Sequence, residues 1–526
     1  MKKIISAVLL FAALALGLVA FSSCGEGADT STLKIIDVKL TDEEYAFVCD
    51  IENKALVKDF NDFLVEIKSS GEFDSILAKY FEGEGERLGQ PISTEDVTND
   101  ESTLVVATNC PFEPFEFIGE DGKIYGVDIE IAAVYAKARN LDLVVKNISF
   151  DDIFLQVDNG YADIGMAGIT ASEDRAKIYS FTDTYFSASQ KLIVREDCGI
   201  FDNCKTKDEL DAILASLENE KIGYQNGTTG FMYVNGDADW GYEGFANLKG
   251  EGYPTGQEAV MDLANGRILA VIIDEAPAKA LLNSKSAWAE KLSLFIKTMK
   301  SEYFRELLLL GIVNTVKVAV LGLIIGILIG TAIAMVKVAP MYSPLMKTLD
   351  KLCTVYVAIF RGTPMVVQLL LAYYVILPAL GILGVEALSV GTVVFGLNSG
   401  AYVSEIMRGG IKSVEMGQME AARALGLSYN AAMIKVVIPQ AVKNIVPTLG
   451  NEFVTLIKET SVLSFITVYD IYTALSTIGS KNYEKMIPFI VMALIYIILV
   501  LGISLLVKAI ESVFAKSDKN SGEKTK

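Results

Sequence analysis

The chain contains no histidine, which removes imidazole as general base, proton relay or metal ligand. Cysteine is scarce, with six in 526 residues and no Cys-x-x-Cys pair, so a thiolate zinc site has no framework. No GxxxxGK[ST] stretch occurs. Without such a loop there is no run of backbone N–H groups to cradle a nucleotide's phosphates. A basic stripe is missing from the acidic part, which excludes nucleic-acid binding there. What remains is poor in catalytic chemistry and rich in apolar residues: 52% are hydrophobic and mean hydropathy is +0.39, too apolar for an ordinary soluble enzyme.

Charge divides the chain. From Phe304 onward there are 19 Lys and Arg against 13 Asp and Glu, so residues 1–303 hold a net charge of about −25 within a total of −19. An acidic half joined to a basic, apolar half suggests an exported domain tethered to a membrane domain. The N-terminus agrees: Lys2-Lys3, an apolar run over 4–21, then Ser22-Ser23-Cys24, the layout of an export signal. Its end resembles a bacterial lipoprotein cleavage box, although Phe21 departs from the usual aliphatic residue; that resemblance implies lipidation at Cys24, and an uncleaved anchor is the alternative. Either way residues 25 onward are expected outside the cytoplasm. There Cys198 and Cys204 stand close enough in sequence for a small disulfide loop or for two free thiols.

Apolar segments near 312–336, 363–382, 386–406, 448–468 and 487–507 are each about long enough to cross a hydrocarbon core of roughly 30 Å. Five crossings put the two ends of this half on opposite sides, with the C-terminus inside. Positive charge on the 337–361 loop, the 408–443 loop and the tail agrees. One polar loop, 420–439, therefore faces the cytoplasm. Gly426 can take the left-handed conformation that closes a first helix, Ser428 can cap a second and Pro439 is expected to end it. The small Ala421 and Ala422 allow another surface to come close.

The spacing Glu420-Ala421-Ala422, Gly426, two aliphatics and Pro439 resembles the loop by which permeases of ABC importers grip their ATPase. Phe360-Arg361-Gly362-Thr363-Pro364, the stretch from Ala401 to Gly410, Gly450-Asn451-Glu452-Phe453 and Lys458-Glu459-Thr460-Ser461 are similar to the polar-amino-acid permeases of that family, over roughly 305–510. The resemblance implies a separate ATPase subunit that supplies ATP chemistry, no cofactor held by this chain, and two permease units per path, as a homodimer or with a sister permease. Glu452, Lys458 and Glu459 are costly in a membrane unless paired or facing a polar path. They either line the route or pair structurally at a helix end.

Residues 101–290 alternate strand-like and helix-like stretches: a buried strand over 103–108, an amphipathic helix over 127–139 and a strand over 141–145. The stretches 111–117, 126–131, 167–175 and 181–185 resemble family 3 solute-binding proteins, whose fold is two α/β lobes closing on an amino acid. Arg175 can grip a carboxylate with two parallel hydrogen bonds, or be a solvated helix-start residue. The resemblance adds Gly168 and Thr170 beside it, Thr228 and Thr229 from the second lobe, Asp274 for the ammonium group, and Phe112 and Phe150 flanking the ligand. Asn109 stands where relatives that bind lysine or arginine have Asp, which weakens the case for a cationic ligand.

The family's closing strand and helix pair are missing after Asp274, while residues 33–81 look like that piece. The expectation is therefore a circularly permuted two-lobed α/β binding domain, tolerated because domain termini lie close together; a decayed tandem copy is the alternative. The domains are then a signal (1–24), the displaced part (33–81), a linker (82–100), the binding domain (101–298) and an all-α, five-helix transmembrane permease (303–515). The function expected is capture and passage of a polar amino acid across the bacterial plasma membrane, with lipid around the helices and no catalysis in this chain. A ligand-gated ion channel is the alternative, against which no carbonyl filter of the TVGYG kind is present. A sensor that only binds leaves the 420–439 loop unexplained.

Overall fold

The computed structural model describes residues 33–94, 102–238, 240–283, 288–339, 343–382 and 384–523. The expected signal with Cys24 lies outside them, as do residues 95–100 of the linker and residue 101. The chain forms two compact units. One gathers the described residues up to Ser93, those of Val97–Phe304, and Ile478–Ile487; the other holds Arg305–Thr477 and the chain from Pro488 on.

The first unit has two lobes, each built on a five-stranded sheet. In the first lobe, Thr103–Thr108 runs parallel to Asp142–Asn147 and to Ile164–Gly165. Val48–Asp50 closes the sheet antiparallel to Ile164–Gly165 and Tyr179–Phe181. In the second lobe, Lys221–Gln225 lies parallel to Lys249–Tyr253 and Ala270–Asp274. Gln190–Arg195 and then Leu33–Ile36 are added antiparallel. Glu43–Tyr45 and Phe186–Ala188 pair antiparallel where the chain crosses between lobes, making a two-stranded hinge.

Residues 33–81 thus contribute a strand to each lobe and one strand of the hinge. Their helices, Lys54–Ser70 and Glu72–Phe81, are separated by Gly71 in the left-handed conformation, as the sequence suggests. Phe60, Phe63, Leu64 and Ile67 bury one face against Ile131 and Tyr135, with Phe60 stacked on Tyr135 at 4.3 Å between centroids. A face of this size is what the hydrophobic effect needs to hold helices on a sheet.

Helix Val127–Arg139 has the predicted bounds but is not amphipathic: Val127 to Ala133 are all buried, with Asp128 and Glu130 among them. Tyr80 donates to Glu130 at 2.8 Å and Lys79 pairs with it, so this buried charge is neutralised as burial requires. Cys198 and Cys204 are free thiols beside a core cluster of the second lobe.

In the second unit, Glu302–Val338, Ala387–Lys412 and Met486–Ser512 are long and apolar enough to cross a membrane. Two further helix pairs are bent, Pro344–Gly362 with Met365–Ala379 by 109° and Tyr429–Ile466 with Ile471–Lys481 by 57°. Counting each pair as one crossing gives five. Gly326 and Gly330 let Glu302–Val338 meet Ala387–Lys412 closely; a Cβ there would lie 2.7 Å from Ser399 and from Val403. At the 109° bend, the carbonyls of Phe360 and Thr363 are taken up by Gln368 Nε2 at 2.9 and 3.1 Å, and Asn398 Nδ2 also reaches Phe360 at 3.2 Å. The Phe360–Pro364 motif is therefore a capped corner, which satisfies backbone groups that apolar surroundings cannot.

Candidate functional site

The cleft between the two lobes contains a cavity lined by all eight residues expected at a ligand: Phe112, Phe150, Gly168, Thr170, Arg175, Thr228, Thr229 and Asp274. Strand ends position most of them. Asp274 closes Ala270–Asp274, Gly168 and Thr170 follow Ile164–Gly165, and Thr228 follows Lys221–Gln225. Phe150 opens the helix Phe150–Asp158.

Arg175 is half-buried and spans the lobes: Nη1 donates to the Thr170 carbonyl at 2.8 Å and Nη2 to the Gly227 carbonyl at 2.8 Å. Its guanidinium lies 5.0 Å from the ring centroids of Phe154 and Trp240 and 5.8 Å from Phe150. Burial lowers its pKa to about 10, against the opposing charges of Glu43 and Asp151, so it remains a cation at neutral pH. The Thr228 hydroxyl turns back to the Gln225 carbonyl at 2.8 Å, whereas Thr229 faces Glu43.

Three acidic residues at the site received no role from sequence. Glu43, on the hinge, accepts from Thr170 and Thr229 at 2.6 and 2.7 Å, and from Thr41 and Gln190 at 2.5 and 3.1 Å. Asp128 accepts from the Tyr185 hydroxyl at 2.6 Å and the Gly168 N–H at 3.0 Å; burial nevertheless pushes its carboxyl up to about 7. Glu116 is fully buried, with neither carboxylate oxygen hydrogen-bonded. Burial, then the charges of Asp128 and Asp274, hold its carboxyl well above the usual carboxylate range. Asp274 is raised likewise by burial and by Glu43, although Tyr45 donates to it. Glu116 lies inside the 111–117 stretch that resembles the solute-binding family, so its position was legible in the sequence and its lack of partners was not.

Glu43→Ala is expected to destabilise the unit, because four donors lose one charged acceptor. Hydrogen bonds to charged groups contribute about 1.5–3 kcal/mol each and are not additive, so a loss on the order of 3 kcal/mol is expected. Chemical denaturation of the full chain, followed by tryptophan fluorescence, measures it. A loss under about 0.5 kcal/mol, the size of an ordinary surface substitution, would mean the hinge hub contributes nothing.

The loop at 420–439 forms the expected turn. Helix Met416–Ala424 ends before Gly426, whose φ is +87° and whose missing Cβ would meet open space. Ser428 caps the next helix, its Oγ accepting from the Ala431 N–H at 3.3 Å. Glu420 and Ala421 lie toward the surface while Ala422 is buried. Leu425 is 86% exposed and Met416 79%, two apolar side chains left uncovered among the described residues. Pro439 does not end the second helix. The chain stays helical from Tyr429 to Glu459, through a π-helical stretch at Met433–Val437. The wider turn relieves the clash of the proline ring with the preceding turn and absorbs its missing N–H. Glu452 accepts from Ser399 at 2.9 Å, so it has a structural partner.

Residues 322–516 match the family described as binding-protein-dependent transport system inner membrane component, and residues 104–307 match bacterial extracellular solute-binding proteins, family 3. An arginine transport system permease protein, ArtQ of Bacillus subtilis, is 36% identical over 40% of this chain and 92% of its own length. A Rickettsia bellii protein named for glutamine transport, GlnP, is 38% identical over 38% of this chain and 89% of its own. A solved amino acid ABC transporter aligns at 38% identity over 41% of this chain and 97% of its own, with TM-score 0.38.

Proposed function

Since the chain belongs to the amino-acid ABC transporter permeases and carries a family 3 solute-binding domain ahead of the membrane part, we propose that one polypeptide captures a polar amino acid outside the cell and conducts it inward, driven by a separate ATPase. The observation that carries this reading is the inter-lobe cavity, where a cation (Arg175) and a carboxylate (Asp274) converge. Those are the complements of an α-carboxylate and an α-ammonium group. Phe112 and Phe150 supply the apolar walls.

The finer parts belong to the same proposal. Five crossings place the C-terminus and the Gly426 turn in the cytoplasm and the binding domain outside, with Cys24 lipidated. The exposed Leu425, next to Gly426, and the exposed Met416, at the start of the preceding helix, give an ATPase apolar side chains to grip. Two permease units, as a homodimer or with a sister permease, complete the path. This chain brings no cofactor, and ATP acts through the partner. Residues 33–81 are the displaced end of a circularly permuted domain; their strands in both lobe sheets support that over a decayed copy. The relatives are transport permeases, and none of those named gives support to a ligand-gated channel.

The test is uptake. Proteoliposomes holding the full chain and a matching ATPase are expected to accumulate a radiolabelled amino acid only with ATP inside. Accumulation that ignores ATP, or an ion current without the ATPase, would overturn the proposal.

A further inference from the structure

Residues 482–485 join the helix Ile471–Lys481 to the helix that begins at Met486. They lie in Ile478–Ile487, which belongs to the first unit although the chain on either side of it belongs to the second. A connector this short needs neither burial nor strain, and polar connectors normally run over the surface. This one has both. Asn482, Glu484 and Lys485 are buried. Tyr483 holds φ at +49°, a left-handed backbone that is an outlier for a bulky residue and persists only where its surroundings enforce it.

Glu484 accepts from the N–H groups of Met486 and Ile487 at 2.8 and 3.1 Å. It satisfies open donors at the start of the next helix and is accounted for locally. The other three reach outward. Asn482 Oδ1 accepts from the Thr298 hydroxyl at 2.8 Å. Lys485 Nζ donates to Glu258 at 3.0 Å, on the helix Gly256–Ala264 of the second lobe. Lys485 is 2% exposed, and burying an ammonium group is costly unless a partner is held in place, so this ion pair fixes the segment on the second lobe. Tyr483 touches both lobes. Its ring packs against the second-lobe cluster that includes Ile273 and Leu281. Its hydroxyl donates at 3.0 Å to Glu113, which follows the strand Thr103–Thr108 of the first lobe.

We propose that residues 482–485 form a latch across the two lobes: Lys485 anchors it to the second, and the Tyr483 hydroxyl holds the first at Glu113 while the cleft is closed. This rests on the reading of the cavity as an amino-acid site. Neither Tyr483 nor Glu113 lines that cavity, so Tyr483 is a positioning residue that acts through the lobes. Opening the cleft carries Glu113 away from the second lobe and breaks the bond, so the bond slows release of the ligand. Retention is then a property of the full chain, because the residues that provide it lie far beyond the binding domain in sequence. Both ends of the segment continue into the second unit, so a movement there withdraws the latch.

Stopped-flow and equilibrium titration of the full chain in nanodiscs test this, with the tightest binder among the twenty common amino acids as probe. Tyr483→Phe keeps the ring and removes only the donor. It is expected to weaken binding about tenfold, the effect of one hydrogen bond to a charged group, through faster dissociation at an unchanged association rate. Glu113→Ala is expected to do the same, and the double variant to lose no more than either single one. Unchanged affinity in Tyr483→Phe, a loss carried by slower association, or additive losses in the double variant would overturn the latch while leaving the amino-acid site intact. Binding of none of the twenty by the unaltered chain would overturn the underlying reading as well.

Discussion

Arg175→Ala is expected to weaken amino-acid binding by about 100-fold, the scale of roughly 3 kcal/mol for a desolvated charge partner that is removed. The guanidinium is half-buried, flanked by three aromatic rings and hydrogen-bonded to a carbonyl from each lobe, so its loss removes both the carboxylate's cation and a bridge across the cleft. Arg175→Lys separates the two contributions. Lysine keeps the charge but lacks the fork that meets a carboxylate with two parallel bonds, and it cannot reach both lobes at once. An intermediate loss for lysine, measured by titration calorimetry on the full chain, is the expected result. Equal affinity for all three proteins would remove Arg175 from the site.

The second large effect lies in the other unit. Gly426→Trp is expected to abolish ligand-stimulated ATP hydrolysis by the partner while leaving amino-acid binding unchanged. At φ +87° an L side chain is strained by about 1 kcal/mol or more. A Cβ would nevertheless meet nothing within 4 Å, so the turn tolerates the change locally and the indole projects into space the partner needs. Gly426→Ala separates strain from bulk. It carries the same backbone cost with little volume, and is expected to retain most of the stimulation. Loss with alanine equal to that with tryptophan would place the effect in the turn itself rather than in docking.

Much of this was readable from residues. The eight residues expected at a ligand come from separated stretches, and the fold brings them to one cavity because each follows a strand or opens a helix at the cleft edge. Gly426 and Ser428 were readable because left-handed glycines and hydroxyl caps are local devices. Pro439 departs from its expected role for a related reason. Proline's local rule predicts a stop, but the chain widens one turn into a π-helical stretch and continues, a tertiary accommodation with no local signature. Helix Val127–Arg139 looked amphipathic because Asp128 and Glu130 read as solvent-facing. Their partners Tyr185, Tyr80 and Lys79 come from residues 50 or so positions away, and no periodicity reports that. Glu43 and Glu116 escaped for the same reason: what distinguishes them is the number of donors around each carboxylate, four in one case and none in the other.

The most direct measurement is the rate of ATP hydrolysis by the partner ATPase in proteoliposomes containing the full chain, with and without amino acid outside. The account predicts stimulation by external amino acid in the unaltered chain, lost in Arg175→Ala at concentrations that saturate the unaltered chain, and lost in Gly426→Trp at any concentration. Hydrolysis at one rate regardless of external amino acid, in the unaltered chain, would contradict the claim that capture and drive are joined in this polypeptide.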